Sequence, residues 1–364
     1  MPPATAPSAS EIAGVLDQLA EDSDRMLLAV GRSTVPVSNL DKPLWPGRRR
    51  PFTKRDLLVY LARVSPHLLR HLGGRPVFVT RYPHGVEEKS FYQKVWDDPP
   101  AFVHSVPVWS AEHGEARPYL LVRNLATLLW LGQQAALELH VWFSRTSAAP
   151  DGKRLGTDYA SGAEALEVSR LNFPDFLVVD LDAYAYRGTE RAGAEPELHR
   201  RGFNRTREIA FEVRRVAEAL GLEAFVKTSG RTGLHVFLPI ARTFPFDEVR
   251  AMAQTVGYFL QALRPHDVTL AWSVRERTGK VFFDYNQNAR GKSLAAAYSP
   301  RRHPAGTVSM PVTWVLLPYV YPTDFTLETV PDLLDERGDA WASILDAKGD
   351  LEAVLALGEP GPTT

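Results

Sequence analysis

The sequence predicts a mixed α/β (α+β) fold, on three observations. Short apolar segments with period-two alternation recur along the chain, segments with helical apolar spacing separate them, and turn residues punctuate both. The second half runs strand, helix, strand, turn, strand, helix, strand, the order of a mixed sheet covered on one side by helices. At 364 residues, 45% apolar and 23% charged, the chain can bury a sizeable core and is not disordered. The absence of cysteine excludes a disulfide framework, thiolate metal ligands and a cysteine nucleophile. The start MPPATAPSASEIAG lacks a secretory pattern, and no apolar run approaches the roughly 18 residues of a membrane span. A cytoplasmic protein without membrane association is expected.

A Pro/Ala/Ser-rich tail at residues 1–10 leads into a helix expected from 11 to about 30, together an N-terminal tail and helix up to residue 35. Residues 37–51 read as irregular and basic. Thr53 with Asp56 three positions on is a capping box, opening a helix with Leu57, Leu58, Tyr60, Leu61, Val64 and Leu68 as its stripe. Gly73 and Gly74 end it, and 76–80 reads as a strand. A helix is expected around 120–131, then a strand at 136–143 that puts Glu138, His140 and Trp142 on one face. The Ser/Gly/Ala-rich span 144–169 reads as a subdomain hinge between a part at about 36–143 and a part at about 170–300. Beyond it come strand 176–182, a long polar insertion to 201, helix 204–220, strands 223–228 and 234–239, helix 246–263 and strand 281–284. This is an RRM-like βαββαβ unit. Acidic residues 324–355 are expected to form a helical wrap within an extension at 321–364.

Net charge is −1, but it is segregated. Residues 41–94 hold twelve Lys/Arg against four Asp/Glu, and residues 324–350 hold eight acids against two bases. Such a distribution can give a neutral protein a positive surface for a phosphate backbone, although solvated loops have the same composition. In FLVVDLD (176–182) the period of two puts Asp180 and Asp182 on one side of a strand, with Cα atoms about 6 to 7 Å apart. Paired carboxylates repel unless protons or cations intervene, so a divalent ion is the natural inference; the plain alternative is a loop start beside a cap. Asp284 ends another apolar strand and makes a third acid, enough for two hard cations that align a hydroxyl with an α-phosphate. Between them lies KTSGRTGLH (227–235), whose glycines let backbone N–H groups approach phosphate, with Lys227, Ser229 and His235 as further donors. A structural hairpin turn is the competing account. His140 reads as a phosphate donor, a metal ligand or an internally satisfied histidine. Arg290 and Lys292 suit a triphosphate or solvent. Phe91, Tyr92 and Lys94 combine rings with charge as a base-stacking surface would, a buried aromatic cluster being the preferred account of Tyr92. Lys42, Arg48, Arg49, Arg50, Lys54 and Arg55 form a basic cluster able to make a phosphate pocket.

In this order the pieces resemble the archaeo-eukaryotic primase superfamily, and more closely the polymerase domain of bacterial non-homologous end-joining DNA ligase D and its stand-alone Prim-Pol relatives. The resemblance covers about 35–320: VSNLDKPLWP at 37–46, Lys54, GRP at 74–76, FYQK at 91–94, ELH at 138–140, DLD at 180–182, KTSG at 227–230, GLH at 233–235, VFFD at 281–284, NARG at 288–291 and PVTW at 311–314. It implies a primase-like catalytic core with an N-terminal α/β subdomain, in a primase-polymerase domain at 36–320. It further implies that Asp180, Asp182 and Asp284 are the metal-binding catalytic acids, with manganese favoured over magnesium. Ser229, His235 and His140 would hold the triphosphate, with Lys227 and Arg290 in supporting basic positions. Lys42 and Lys54 would recognise the 5′-phosphate across a gap, Phe91 would support the template, and Lys94 lies on the same DNA-binding surface.

The implied activity is template-dependent nucleotide addition from nucleoside triphosphates, often ribonucleotides, in end joining or short-gap excision repair, nucleoid-associated during repair. Without room for a ligase module, the expectation is a separate DNA ligase and other end-joining or excision-repair proteins as partners. The chain departs from the family at Ala183, where proline is frequent, at Arg231-Thr232, where Gly-Lys is frequent, and in the longer linker 183–201. Two other readings stay open: a primase that starts primers de novo, and a non-catalytic nucleic-acid-binding module, which an incomplete carboxylate set would mark.

Overall fold

The computed structural model describes residues 6–47, 49–184, 197–352 and 354. Ser8 caps α1 (Ala9–Leu19) by accepting from the Glu11 amide. The helix expected to reach residue 30 stops at Leu19. An acidic turn follows, and β1 (Arg25–Val30) pairs antiparallel with β2 (Ser33–Ser38) around Gly31, whose φ is +58°. Leu28, Val30, Val35 and Val37 are buried at a period of two, so the strand pattern overrides helical propensity. Residues 37–51 are less irregular than expected, because β3 (Pro43–Trp45) pairs with β4 (Phe52–Thr53). The capping box at Thr53 and Asp56 is present and opens α2 (Lys54–Leu72), with the expected stripe buried.

Then come β5 (Pro76–Arg81), β6 (Phe91–Gln93), β7 (His104–Ser110) and β8 (Glu115–Leu121). The helix expected at 120–131 begins later. Leu120 and Leu121 end β8, and Asn124 opens α3 (Leu125–Gln133) by accepting from the Thr127 amide at 2.8 Å. A run of leucines has no period of its own, so the cap sets the boundary. β9 (Ala136–Val141) follows as expected. The span 144–169 contains α4 (Ala163–Glu167) and is anchored: Ser144, Arg145 and Thr146 are buried, and the Thr146 amide donates to the Gly74 carbonyl at 2.8 Å. It is therefore no slack hinge at its start.

The second half contains β10 (Phe176–Ala183), α5 (Arg200–Ala219), β11 (Phe225–Thr228), β12 (Leu234–Pro239), α6 (Phe246–Leu263), β13 (Val268–Thr269) and β14 (Val281–Asp284), close to expectation. Most of the insertion at 183–201 lies outside the described residues. β15 (Leu294–Ala295), β16 (Pro311–Val312) and α7 (Thr329–Arg337) complete the elements. Among the described residues of the expected helical wrap at 324–355, the nine of α7 form a helix and most of the others are turns and irregular segments. The segment belongs to the core, since Trp341 is buried with its ring 4.9 Å from that of Phe237.

One sheet has the order β13-β14-β10-β12-β11-β16, in which the βαββαβ strands β14, β10, β12 and β11 are antiparallel neighbours. The other has the order β15-β9-β5-β8-β7, with β6 beside β5. β15 follows the catalytic strands in sequence yet completes the N-terminal sheet, and one hydrophobic cluster runs from Val15 to Val354. The parts at 36–143 and 170–300 thus correspond to two interlocked sheets rather than two cores. Pleating decides which side works. Leu181 and Phe283 are cross-strand partners on the face toward α6, where Gly257 approaches the Phe283 ring. The alternate residues Asp180, Asp182, His235, Lys227 and Asp284 take the opposite face, toward the second sheet.

Candidate active site

The sheet register assembles the acids. Asp180 on β10 lies opposite His235 on β12 and opposite Asp284 on β14. Asp180, Asp182 and His235, with His140 from β9 and Leu294 and Ala295 from β15, line a cleft of about 230 Å³ between the sheets; Asp284 is the cross-strand partner of Asp180 but does not itself line the cleft. Each acid has its own support. Asp180 Oδ1 is 3.3 Å from His235 Nε2, Asp182 accepts from Thr232 Oγ1 at 2.6 Å, and Asp284 accepts from the Asn286 amide at 2.9 Å and Gln287 Nε2 at 3.0 Å. Burial, followed by the charges of Asp182 and Asp284, pushes the Asp180 carboxyl well above the usual range. Burial raises Asp182 and Asp284 as well.

The glycine turn between β11 and β12 fits against this strand. Gly230 has φ +70°, and a Cβ there would press on the Val308 backbone. At Gly233 a Cβ would collide with the Leu181 carbonyl and the Asp182 carboxylate. Ser229 Oγ accepts from the amides of Arg231 at 3.1 Å and Gly233 at 3.0 Å. Its lone pairs are engaged, so its hydroxyl hydrogen remains to donate toward the cleft it lines.

The opposite wall supplies His140, 3.3 Å from Thr80 Oγ1 and with its ring against Tyr92. Burial lowers its pKa. Beside it stands Arg301, a residue the sequence reading did not select. Arg301 is 8% exposed and lines the cleft, its Nε lies 3.5 Å from Glu138, and neither Nε nor Nη1 has a hydrogen-bond partner. Buried guanidinium donors left over at a cleft wall are placed for an anion. The signal in the sequence was only a basic pair in a Pro/Gly-rich stretch, with no fixed spacing to the acids. Glu138 is buried as well: burial would raise its carboxyl, but the Arg301 charge and the His140 hydrogen bond outweigh that and hold it below the usual range.

Of the residues selected as nucleotide contacts, Ser229, His235 and His140 share the cleft, whereas Lys227 and Arg290 do not line it. Lys227 is fully buried behind His235, where burial brings its pKa well down. Arg290 is exposed, and its Nη1 donates to Asn172 at 3.2 Å.

Lys42 and Lys54 are neighbours: the Lys54 amide donates to the Lys42 carbonyl at 2.9 Å, at the N-terminus of α2. The Lys54 ammonium donates to the Ser38 carbonyl at 2.9 Å, and its pKa is lowered by burial and then by Lys42. Arg49 and Arg50 are exposed, Arg48 lies outside the described residues, and Arg55 is structural, donating to the Leu19, Glu21 and Ser23 carbonyls. Phe91 is 45% exposed with the Arg81 guanidinium 5.0 Å above its ring, and exposed Lys94 lies over Phe78. Tyr92, expected to be buried, is 47% exposed, and its hydroxyl is 3.0 Å from Ser293 Oγ at the cleft edge.

The donor chemistry suits a hard divalent cation, because the three carboxylates are oxygen donors and two repel each other in a buried setting. They are not drawn into a finished cage; among the described residues no group of three or more His, Cys, Asp or Glu is. The supporting bonds to Thr232, Asn286 and Gln287 hold the acids separately.

Acids at paired strand ends, a glycine turn packed against them and an arginine with a spare donor across the cleft are the chemistry of a nucleotidyltransferase of the primase-polymerase type, the class in which similarity to known proteins places the chain. Residues 53–341 match the model of the LigD primase-polymerase domain, and the chain belongs to that family. The bifunctional non-homologous end joining protein LigD of Bacillus subtilis is 29% identical over 304 residues, covering 83% of this chain and 42% of that protein. The multifunctional LigD of Mycobacterium bovis is 31% identical over 288 residues, covering 78% of this chain and 33% of that one. The chain thus spans about a third to two fifths of these relatives. The polymerase domain of Mycobacterium tuberculosis Ligase D, solved in complex with DNA, superposes with a TM-score of 0.71 at 28% identity, covering 86% of this chain and 98% of that one. No helix among the described residues is long and apolar enough to cross a membrane.

Proposed function

We propose that this chain extends a DNA primer strand across short gaps, copying a template from nucleoside triphosphates, in the repair of broken ends. The observation that carries the reading is the opposition of charge across one cleft: Asp180 and Asp182, whose carboxyls are raised by burial, face Arg301, whose Nη1 has no hydrogen-bond partner among the described residues. A metal-bound triphosphate satisfies both sides.

Asp180, Asp182 and Asp284 would hold two divalent ions, manganese or magnesium, which when bound would neutralise the triphosphate and polarise its α-phosphate. The chain's own residues do the rest. Ser229 Oγ–H, His235 Nε2–H, His140 and Arg301 donate to phosphate oxygens, and the turn from Gly230 to Gly233 lets the backbone close on them. Asp284, fixed by Asn286 and Gln287, is placed to orient the primer 3′-hydroxyl. Lys42 and Lys54 at the start of α2 receive the downstream 5′-phosphate, and Phe91 with Lys94 supports the template strand. Ribonucleotides are accepted, and a DNA ligase seals the product. Extension of a primer on 5′-phosphorylated gapped DNA with ribo- and deoxyribonucleotides tests this; no incorporation with either ion would refute it.

A further inference from the structure

We propose that Lys227 is a positioning residue for nucleotide binding, holding His235 in the tautomer and orientation that present Nε2–H to the cleft. The inference rests on the reading of that cleft as the triphosphate site. Lys227 on β11 and His235 on β12 are direct cross-strand partners, so both side chains project from the same face. Lys227 Nζ lies 2.8 Å from His235 Nδ1 and donates to Ser309 Oγ. The direction of the second bond is fixed, because Ser309 Oγ spends its hydrogen on the Thr228 carbonyl at 2.9 Å and can only accept from the lysine. The same nitrogen has a further N–H for Nδ1 whether or not it is charged, and in this proposal it donates there. With Nδ1 accepting, the ring hydrogen sits on Nε2, the atom 3.3 Å from Asp180 and facing the cleft.

Besides the field its charge exerts on Asp180, the surroundings of Lys227 give the amine no other polar partner than Ser309 and His235 among the described residues. It does not line the acid cleft; its free side borders an apolar cavity of about 250 Å³ walled by Phe143, Phe176, Phe237 and Trp341. An amine buried against aromatic walls costs free energy that an aliphatic side chain would not. The two hydrogen bonds are what the amine adds over a methionine of the same length, and one of them ends on a residue of the cleft. The chain Ser309, Lys227, His235 therefore carries orientation from the interior of the sheet to the nucleotide pocket.

Lys227→Met keeps the stem and removes both bonds. It should raise the KM for the incoming nucleotide by about tenfold, with a smaller change in kcat and gapped-DNA affinity held within about twofold. Ser309→Ala, which frees the lysine from its anchor, should move KM the same way by less. The decisive arm is the double variant. If Lys227 acts through His235, then adding Lys227→Met to His235→Ala leaves KM where His235→Ala alone put it, whereas an independent structural role gives additive losses. ¹⁵N-detected imidazole spectra supply a readout that packing does not move: the parent should show His235 protonated at Nε2, and Lys227→Met should show a tautomer mixture. A parent ring protonated at Nδ1, or additive KM effects, would overturn the proposal. An unchanged nucleotide KM in His235→Ala would instead remove the triphosphate reading, with the tautomer result still deciding the Lys227 bond.

Discussion

Aspartates stand at the two ends of strand β10 in opposite surroundings, one fully buried and the others half-buried at a cleft. Just before the strand, Asp175 is fully buried and met by Arg145 at 2.8 Å, Arg75 at 2.9 Å and Lys348 at 2.7 Å, with Arg242 close by. Burial would raise its carboxyl, but those cations outweigh burial and hold it far below the usual range. At the other end Asp180 and Asp182 have no ion pair with a lysine or arginine among the described residues; Lys227, Arg301 and Arg231 act on them only through their charge, and their carboxyls are raised. One aspartate is a finished ion cluster that ties loop 144–151 and the C-terminal segment to the sheet. The others are a charge deficit that the fold leaves open. Unpaired charge away from water is destabilising, and the contrast between an end of the strand that closes its charges and one that does not is the ground on which a cation site is proposed at the second.

The largest effect should come from the open end. Asp182→Ala should cut primer extension at least about a thousandfold with gapped-DNA binding and Tm little changed, because a ligand is lost but no paired cation is stranded. Near-parental extension rates would remove Asp182 from the mechanism. The closed end should behave in reverse. Asp175→Asn strands Arg75, Arg145 and Lys348 and should cost about 3 to 5 kcal/mol of stability, read by denaturant unfolding, while activity per folded molecule persists.

Acid should sharpen the same contrast. Because the folded-state pKa of Asp175 lies below the unfolded value of 3.8, its contribution is present above that value and lost as pH falls through the folded one. Asp339 is similar. Burial would raise it, but its bonds to His71 and Tyr298 bring it down to about 2, so its share is lost between pH 3.8 and about 2. Tm measured from pH 6 to 2 should therefore fall less steeply in Asp339→Asn than in the parent; parallel curves would contradict the assignment.

Smaller effects belong to the ligand contacts. Ser229→Ala should raise nucleotide KM about tenfold, one hydrogen bond to a charged phosphate, and unchanged steady-state kinetics would return the turn to a purely structural part. Smallest is the pair Lys42→Ala with Lys54→Met. Together they should lower the preference for 5′-phosphorylated over 5′-hydroxyl gaps by roughly three- to tenfold at low salt and flatten its salt dependence. An undiminished preference would leave the basic segment as general backbone contact.

Much of this site could be read from the residues, for reasons that differ by position. DLD and VFFD are short apolar strands ending in acid; the period of two puts Asp180 and Asp182 on one face, and the register of β14 against β10 brings Asp284 to it. The turn glycines were legible because their spacing permits what side chains forbid. Arg301 was not, since it reaches the cleft through an irregular stretch held by β15 and β16, and no local period reports such a path. Lys227 was legible as a polar residue in a β-strand but not as a buried one, because burial depends on the C-terminal segment that closes over the sheet. The β1–β2 hairpin was missed for a similar reason: residues 25–30 alternate weakly, and only burial against α1 and α2 selects the strand.

The central claim is that the far end of β10 is an ion-holding site and the near end is not. Manganese titration followed by the electron paramagnetic resonance of the unbound ion, with a nucleoside triphosphate and gapped DNA present, tests it most directly. The parent and Asp175→Asn should take up manganese with the same stoichiometry and affinity, and Asp180→Asn with Asp182→Asn should lose that uptake. Equal binding by the Asp180, Asp182 double variant and the parent would contradict the account.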